Sequence, residues 1–284
     1  MKLGLGVGPL GAPGGAKIIA LAQEAENLGY DTIWCPEIYG ADCFTPLAWV
    51  GAHTERINLG TSIMQISART PASAAMHAVA LDHLSNGRLI LGIGVSGPQV
   101  VEGWYGQPYP KPLARTREWV QIFRQIVERK DPVAFEGEHY QLPLQGGTGL
   151  GKPLKLIQHP VREHIPVYLG AEGPKNVALS AEVCDGWIPM FISPYKMMDV
   201  YQDAMAIRPP QFEIAAAVPV IIDDDVDRAL GQIKQNVGFY VGGMGAKSFN
   251  VHKDHVTRFG YGEAADKIQD LFMSGQRDQA IAAV

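Results

Sequence analysis

Short apolar runs of strand length alternate with stretches of helical period along most of this chain, and that alternation restricts it to folds built on a parallel sheet. The strand candidates are Leu3 to Val7, Thr32 to Pro36, Ile57 to Met64, Leu89 to Val95, Val167 to Gly170, Gly186 to Met190 and Ile214 to Ile222. Between the first two, Ile18, Leu21, Ala22, Ala25 and Leu28 recur at helical spacing, and Gly29 follows where a left-handed cap would end the helix. Pro71 to Leu84 predicts another helix, closed by Asn86-Gly87, and Trp119, Phe123, Ile126 and Val127 mark a third apolar stripe. A doubly wound sheet and a (β/α)8 barrel both satisfy this pattern, and periodicity does not choose between them. Length favours one domain over 1–284, since a single α/β barrel takes about 250 residues.

Two stretches interrupt the alternation, Phe135 to Pro166 and Gly242 to Gly262, and both read as long loops. In a barrel, insertions that follow strands lie on the catalytic face. The chain ends on a polar helical run from Gly262 to Val284 with no eighth strand in view, so the expectation is a barrel with insertions whose C-terminal strand is missing.

Composition narrows the partners. A net charge of -5 and no block of Lys and Arg give no footprint for nucleic acid. No apolar run approaches the roughly 18 residues of a membrane span, and no cleavable signal precedes the first strand, so the cytoplasm is the expected location. Cys35, Cys43 and Cys184 lack metal-type spacing and are expected to be small buried or half-buried thiols.

Several motifs are decoys. Gly6-Val7-Gly8-Pro9-Leu10-Gly11 matches the dinucleotide pattern, with Glu37 where a ribose-binding acid would stand, but Gly92-Ile93-Gly94-Val95-Ser96-Gly97 matches it too. Gly146 to Lys152 approaches a phosphate loop, yet Pro153 occupies the position of the magnesium-binding hydroxyl. His252 and His255 lack a third ligand and read as surface histidines, so no metal is expected.

More informative are Gly60-Thr61-Ser62-Ile63 followed by Arg69-Thr70-Pro71, the run Ser85 to Gly97 with its tail Pro98 to Gly106, and Val167 to Asn176 with Gly173-Pro174 at a helix start. These runs resemble the luciferase-like monooxygenase family over nearly the whole chain, and most closely its coenzyme F420-dependent oxidoreductases. The resemblance implies a (β/α)8 barrel with cofactor at the C-terminal ends of the strands, hydride transfer between the deazaflavin and a small organic substrate, and a homodimer. The nearest alternative is an FMN-dependent monooxygenase on the same barrel. A third is a non-catalytic barrel that binds cofactor without turnover.

The same resemblance places a non-proline cis peptide between Ser62 and Ile63, as a bulge behind the cofactor ring, within a cofactor-binding run Gly60, Thr61, Ser62 and Ile63. Ser96 and Gly97, with Gln99, would contact the ring or its side chain. Gly170, Ala171, Glu172, Gly173 and Pro174 would hold the phosphate on backbone amides. Pro174 suits a first helical turn and the helix dipole favours an anion, although the Glu172 side chain must turn away. Glu37 is the expected catalytic acid/base, with Asp42 nearby. Glu102, Trp104 and Tyr105 would wall the substrate side, and Arg69 either meets the cofactor's polar tail or braces its own loop. Trp34, Trp49 and Trp187 read as core from their apolar neighbours.

Overall fold

Alternation of Gly with Leu or Ile, as in Gly4-Leu5-Gly6 and Gly92-Ile93-Gly94, puts glycine on one face of a strand and bulk on the other. The computed structural model describes residues 1–8 and 14–284 and shows what each face meets. Strands β1 (Gly4–Gly6), β2 (Thr32–Cys35), β3 (Asn58–Thr61), β4 (Met64–Gln65) and β5 (Leu89–Gly94) come first. A small antiparallel hairpin, β6 (Phe135–Glu136) and β7 (Gln141–Leu142), lies in the first insertion. Then come β8 (Val167–Gly170), β9 (Gly186–Ile188) and β10 (Glu213–Ile214). The main sheet is parallel in the order β1-β2-β3-β5-β8-β9-β10, with β4 also paired to β5.

Leu5, Ile33, Leu59, Leu89, Leu91, Ile93, Val167, Leu169 and Trp187 face outward into the main core under the helices. Ile90, Tyr168 and Ile188 form a separate cluster with Trp34, Ile63 and Ala215, which is the barrel interior. Glycine makes room for them. A Cβ on Gly60 would stand 2.3 Å from the Trp34 ring, and one on Gly94 would stand 1.7 Å from Ile63 Cδ1. Gly6, Gly92 and Gly94 of the repeats that imitate a dinucleotide motif are thus inward positions of barrel strands, whereas Gly8 and Gly97 follow the strands; Pro9, Leu10 and Gly11 of the first repeat lie outside the described residues.

β3 and β4 are two halves of one strand. Gly60 pairs with Ile90, whereas Met64 pairs with Ile93, so four steps on this strand match three on β5. The extra residue is a bulge. At its centre the Ser62–Ile63 peptide is cis, as expected.

The outer layer comprises α1 (Gly15–Asn27), α2 (Phe44–Gly51), α3 (Pro71–Leu84), α4 (Pro98–Val101), α5 (Pro112–Glu128), α6 (Pro174–Val183) and α7 (Met197–Ala206). Gly29 at φ +79° and Gly87 at φ +82° end α1 and α3 as their sequence predicts. Beyond β10 follow α8 (Val226–Gly243), α9 (Val251–Val256), a π-helical turn (Thr257–Tyr261), α10 (Gly262–Met273) and α11 (Arg277–Ala282), with a small core of Val241, Ala265, Ile268 and Ala280.

Three expectations are corrected. The stretch 242–262 is largely helical, because Asn250 caps α9 by accepting from the His252 and Lys253 amides. The strand expected from Ile214 to Ile222 is only the two residues of β10: Val218, Val220 and Ile222 are exposed and so gain nothing from alternation. Trp49 is 53% exposed on α2 rather than core. Among the described residues no strand lies between β10 and β1, so the barrel is open there. Lys2 and Glu213 bridge the seam with an ion pair of 2.6 Å, and the Tyr168 hydroxyl donates to the other Glu213 oxygen at 2.6 Å.

Gly60→Ala should lower stability by about 1–3 kcal/mol through overpacking against Trp34. Gly231→Ala, in α8 with open space around its Cα, should raise it by up to about 1 kcal/mol. Urea unfolding reads both signs. Burial pushes the Cys35 and Cys184 thiols up to about 12, so neither should be alkylated by iodoacetamide at pH 8 until the protein unfolds; mass spectrometry of native and denatured samples checks this.

Candidate active site

Parallel strands deliver their C-terminal ends to one face, and the residues singled out in the sequence follow four of those ends. Glu37 stands two residues beyond β2. Its carboxylate accepts from Arg69 Nη1 at 2.7 and 2.8 Å and from the Gln65 amide at 2.9 Å, while the Gln65 side chain donates to the Glu37 carbonyl at 3.0 Å. The Glu37 side chain is 4% exposed and that of Arg69 13%. Arg69 therefore braces this loop, and its guanidinium also lies 5.2 Å from the Phe44 ring centroid. The acid expected to exchange a proton has both oxygens engaged in an ion pair. The neighbouring Asp42, just ahead of α2, accepts from the Thr45 amide at 2.8 Å. Burial would raise its carboxyl, but hydrogen bonds from Thr45 and Phe44, with Arg69 nearby, hold it below the ordinary range.

The bulge is held on both sides. The Ser62 amide donates to the Cys35 carbonyl at 2.8 Å, the Glu37 amide to the Ile63 carbonyl at 3.3 Å, and the buried Thr61 hydroxyl to the Gly92 carbonyl at 2.6 Å. Ile63 is thereby swung over Gly94 and Gly170, at 1.7 and 3.1 Å from where their Cβ atoms would be. Neither strand could carry a side chain there without displacing it. Beyond β5, Ser96 adopts a left-handed conformation at φ +59°, and Gly97 starts α4 by accepting from the Val100 and Val101 amides. Tyr105 stands within electrostatic reach of Glu37, and burial pushes its phenol up. Trp104 is 65% exposed and packs 6.3 Å from Tyr39.

Gly170 ends β8, and Ala171 leads to Glu172, Gly173 and Pro174, where Gly173 caps α6 and Pro174 opens it. The Gly173 and Lys175 amides make no hydrogen bond among the described residues, and Asn176 Oδ1 is buried without a partner in the same turn. The Glu172 carbonyl accepts from the Tyr201 hydroxyl at 2.5 Å, and its carboxylate Oε1 lies 3.0 Å from His252 Nδ1. The side chain makes no hydrogen bond to the start of α6.

The histidines correct the sequence reading. His255 is fully buried: its Nε2 donates to the Phe191 carbonyl at 2.7 Å and its Nδ1 lies 2.9 Å from the Tyr201 hydroxyl. His252 is largely covered and paired to Glu172. Local spacing carries no signal of that link, since the partner is 80 positions away. Among the described residues no group of three His, Cys, Asp or Glu could hold a metal, and no helix is long and apolar enough to cross a membrane.

Comparison with known proteins gives the same outline. Residues 4–284 match the family model of the luciferase-like monooxygenases. A Mycobacterium tuberculosis protein provisionally named a coenzyme F420-dependent oxidoreductase is 53% identical, over 99% of this chain and 84% of its own length. The 5,10-methylenetetrahydromethanopterin reductase of Archaeoglobus fulgidus is 31% identical, over 77% of this chain and 64% of its own. Among solved structures, the coenzyme F420-dependent tetrahydromethanopterin reductase of Methanopyrus kandleri superposes with a TM-score of 0.77 at 24% identity, covering 100% of this chain and 82% of that one.

Removing one partner of the Glu37 and Arg69 pair strands a buried charge. Arg69→Met should cost about 3–5 kcal/mol in chemical denaturation, more than Glu37→Gln, which keeps an acceptor for the Gln65 amide.

Proposed function

Because the chain belongs to the luciferase-like monooxygenase family, we propose that it is an oxidoreductase that moves a hydride between bound coenzyme F420 and a small organic substrate. The observation that carries this reading is the bulge between β3 and β4, where Ile63 offers an apolar seat over Gly94 and Gly170 on the strand-end face. The residues present fit a deazaflavin. Ser62 and Ile63 would back its ring, and the Gly173 and Lys175 amides, on the positive end of α6, would take its phosphate. Gly60 and Thr61 hold the bulge in place, and Ser96, Gly97, Gly170, Ala171, Glu172 and Pro174 complete the lining. When bound, the deazaflavin supplies a two-electron carrier at the ring. Glu37 acts in this reading by position: with its oxygens taken by Arg69 and Gln65, it fixes the bulge on which the ring rests.

The names of the relatives support the deazaflavin over flavin mononucleotide. A homodimer belongs to the same reading. An apolar groove of about 520 Å³ lined by Gly15, Ile18, Pro46, Ala48 and Trp49 on the outer surface is the face a second copy would cover, and light scattering checks the mass.

Fluorescence titration with each cofactor tests the assignment. Coenzyme F420 should bind, with flavin mononucleotide at least about tenfold weaker, a difference of about 1.4 kcal/mol. Flavin binding in preference to the deazaflavin, or binding of neither, rejects the proposal. Asn176→Asp sets a negative charge beside the phosphate seat and should weaken deazaflavin binding by about tenfold or more with the fold intact by circular dichroism.

A further inference from the structure

We propose that Glu172 and His252 form a general acid/base dyad that serves a carbonyl or hydroxyl oxygen of the substrate, a role that rests on the oxidoreductase reading above. The imidazole is held at three points. The Asn250 side chain accepts from the His252 amide at 3.0 Å and donates to the Val241 carbonyl at 2.8 Å, which fixes the backbone. Glu172 Oε1 takes Nδ1 at 3.0 Å. The ring stands edge-on to Phe191 and Tyr240, at centroid distances of 5.9 and 5.0 Å. A carboxylate on Nδ1 keeps a proton there and leaves Nε2 as the free basic position, the arrangement by which an orienting acid prepares a base. Nε2 makes no hydrogen bond among the described residues, and the side chain is 19% exposed.

A structural latch would look different. Glu37 has both carboxylate oxygens engaged, and so does Asp185, by His164 on one side and by Arg124 and the Val167 amide on the other. Glu172 is 9% exposed, yet its Oε2 is buried with no partner. An unsatisfied buried carboxylate oxygen costs stability and is kept where the group has work to do. Among the described residues no Lys or Arg is bonded to it, and Lys253 on the same helix is turned to Asp266 and Gln269 at 2.7 and 2.8 Å. The other ionisable groups at the dyad are the Tyr240 phenol, pushed up by burial with Tyr39 and Glu172 adding to the shift, and the Tyr201 and His255 pair behind the Glu172 carbonyl.

Placement supplies the substrate class. Glu172 directly precedes the proposed phosphate seat, and Tyr240, against whose ring His252 stands, lies within electrostatic reach of Tyr39 just beyond β2, so the dyad lies between the phosphate seat and the strand ends that would back the ring. Phe191 and Tyr240 flank it with apolar surface, and the exposed Tyr39 and Trp104 pair extends that surface from the ends of β2 and β5. His252 Nε2 is the polar point of an aromatic wall, which suits an apolar body bearing one carbonyl. In the reducing direction a bound reduced deazaflavin would supply the hydride to the carbonyl carbon, and the π electrons would pass to oxygen. The His252 imidazolium gives that oxygen its Nε2 proton, leaving an alcohol and neutral His252, which regains a proton from water. Oxidation of the alcohol runs through the same groups in reverse.

Two measurements test the proposal separately from the cofactor reading. In cofactor-free protein, 15N NMR of the imidazoles should show neutral His252 protonated at Nδ1, and Glu172→Met should shift it toward the Nε2–H form. An Nε2–H tautomer in the wild type, or no change in the variant, overturns the dyad whatever the cofactor. In deazaflavin-loaded protein, cyclohexanone, 2-cyclohexen-1-one and acetophenone are the probes. His252→Gln and His252→Asn should each lower kcat by about 100-fold or more, within the range of a lost general acid, with deazaflavin Kd within about threefold of wild type. Unchanged kcat in a folded variant overturns the role, as does wild type that binds the deazaflavin and reduces none of the three. Wild type that shows the Nδ1 tautomer but binds no deazaflavin overturns the cofactor reading and the proton role with it.

Discussion

A parallel barrel strand has to bury its outer face under helices while leaving space inside, and in this chain the second demand is met by glycine. Gly60, Gly94, Gly170 and Gly186 sit at inward positions beside Trp34, Ile63 and Tyr168, which fill the interior in their stead. A few large side chains projecting into room cleared by their neighbours replace the layered aliphatic packing that barrels commonly use. The site inherits this plan. Ile63 can lie across two strands because neither carries a side chain beneath it, and the bulge that aims it is fixed by Glu37 from the end of β2, braced by Arg69 from the loop before α3.

Much of the fold is legible in the sequence because periodicity reports burial. The βα units up to β9, and the glycine ends of α1 and α3, are where the pattern puts them, since each rests on local chemistry. β10 is too short to impose alternation on its neighbours, and the Val and Ile residues beyond it are exposed, so the apolar pattern there misleads. Periodicity does not separate a doubly wound sheet from a barrel, because both bury the same outer face; only the family resemblance points to the barrel.

The site was legible by position more than by role. Residues at the ends of β2, β3, β5 and β8 do gather on one face, because a parallel sheet leaves them no alternative. What each side chain does depends on contacts between residues far apart in sequence. Arg69 pairs with Glu37 from 32 positions away, and His252 meets Glu172 from 80. Arg88, within one of the most family-like runs, lies far from the strand ends: it donates to the carbonyls of Gly51, Thr54 and Ile57 and so ties the α2 to β3 connection at the opposite end of the barrel.

The seam between β1 and β10 also bears on how copies of this molecule meet. A sheet margin with unpaired backbone groups is a template for another strand, and proteins blunt such margins with short strands and charge. Here β10 offers two residues, and Lys2 and Glu213 are joined across the gap, with Tyr168 bonded to the same carboxylate. A foreign strand would have to separate an ion pair to gain very few ladder bonds. The opening is guarded against promiscuous pairing, and any contact between copies would fall to the helical exterior.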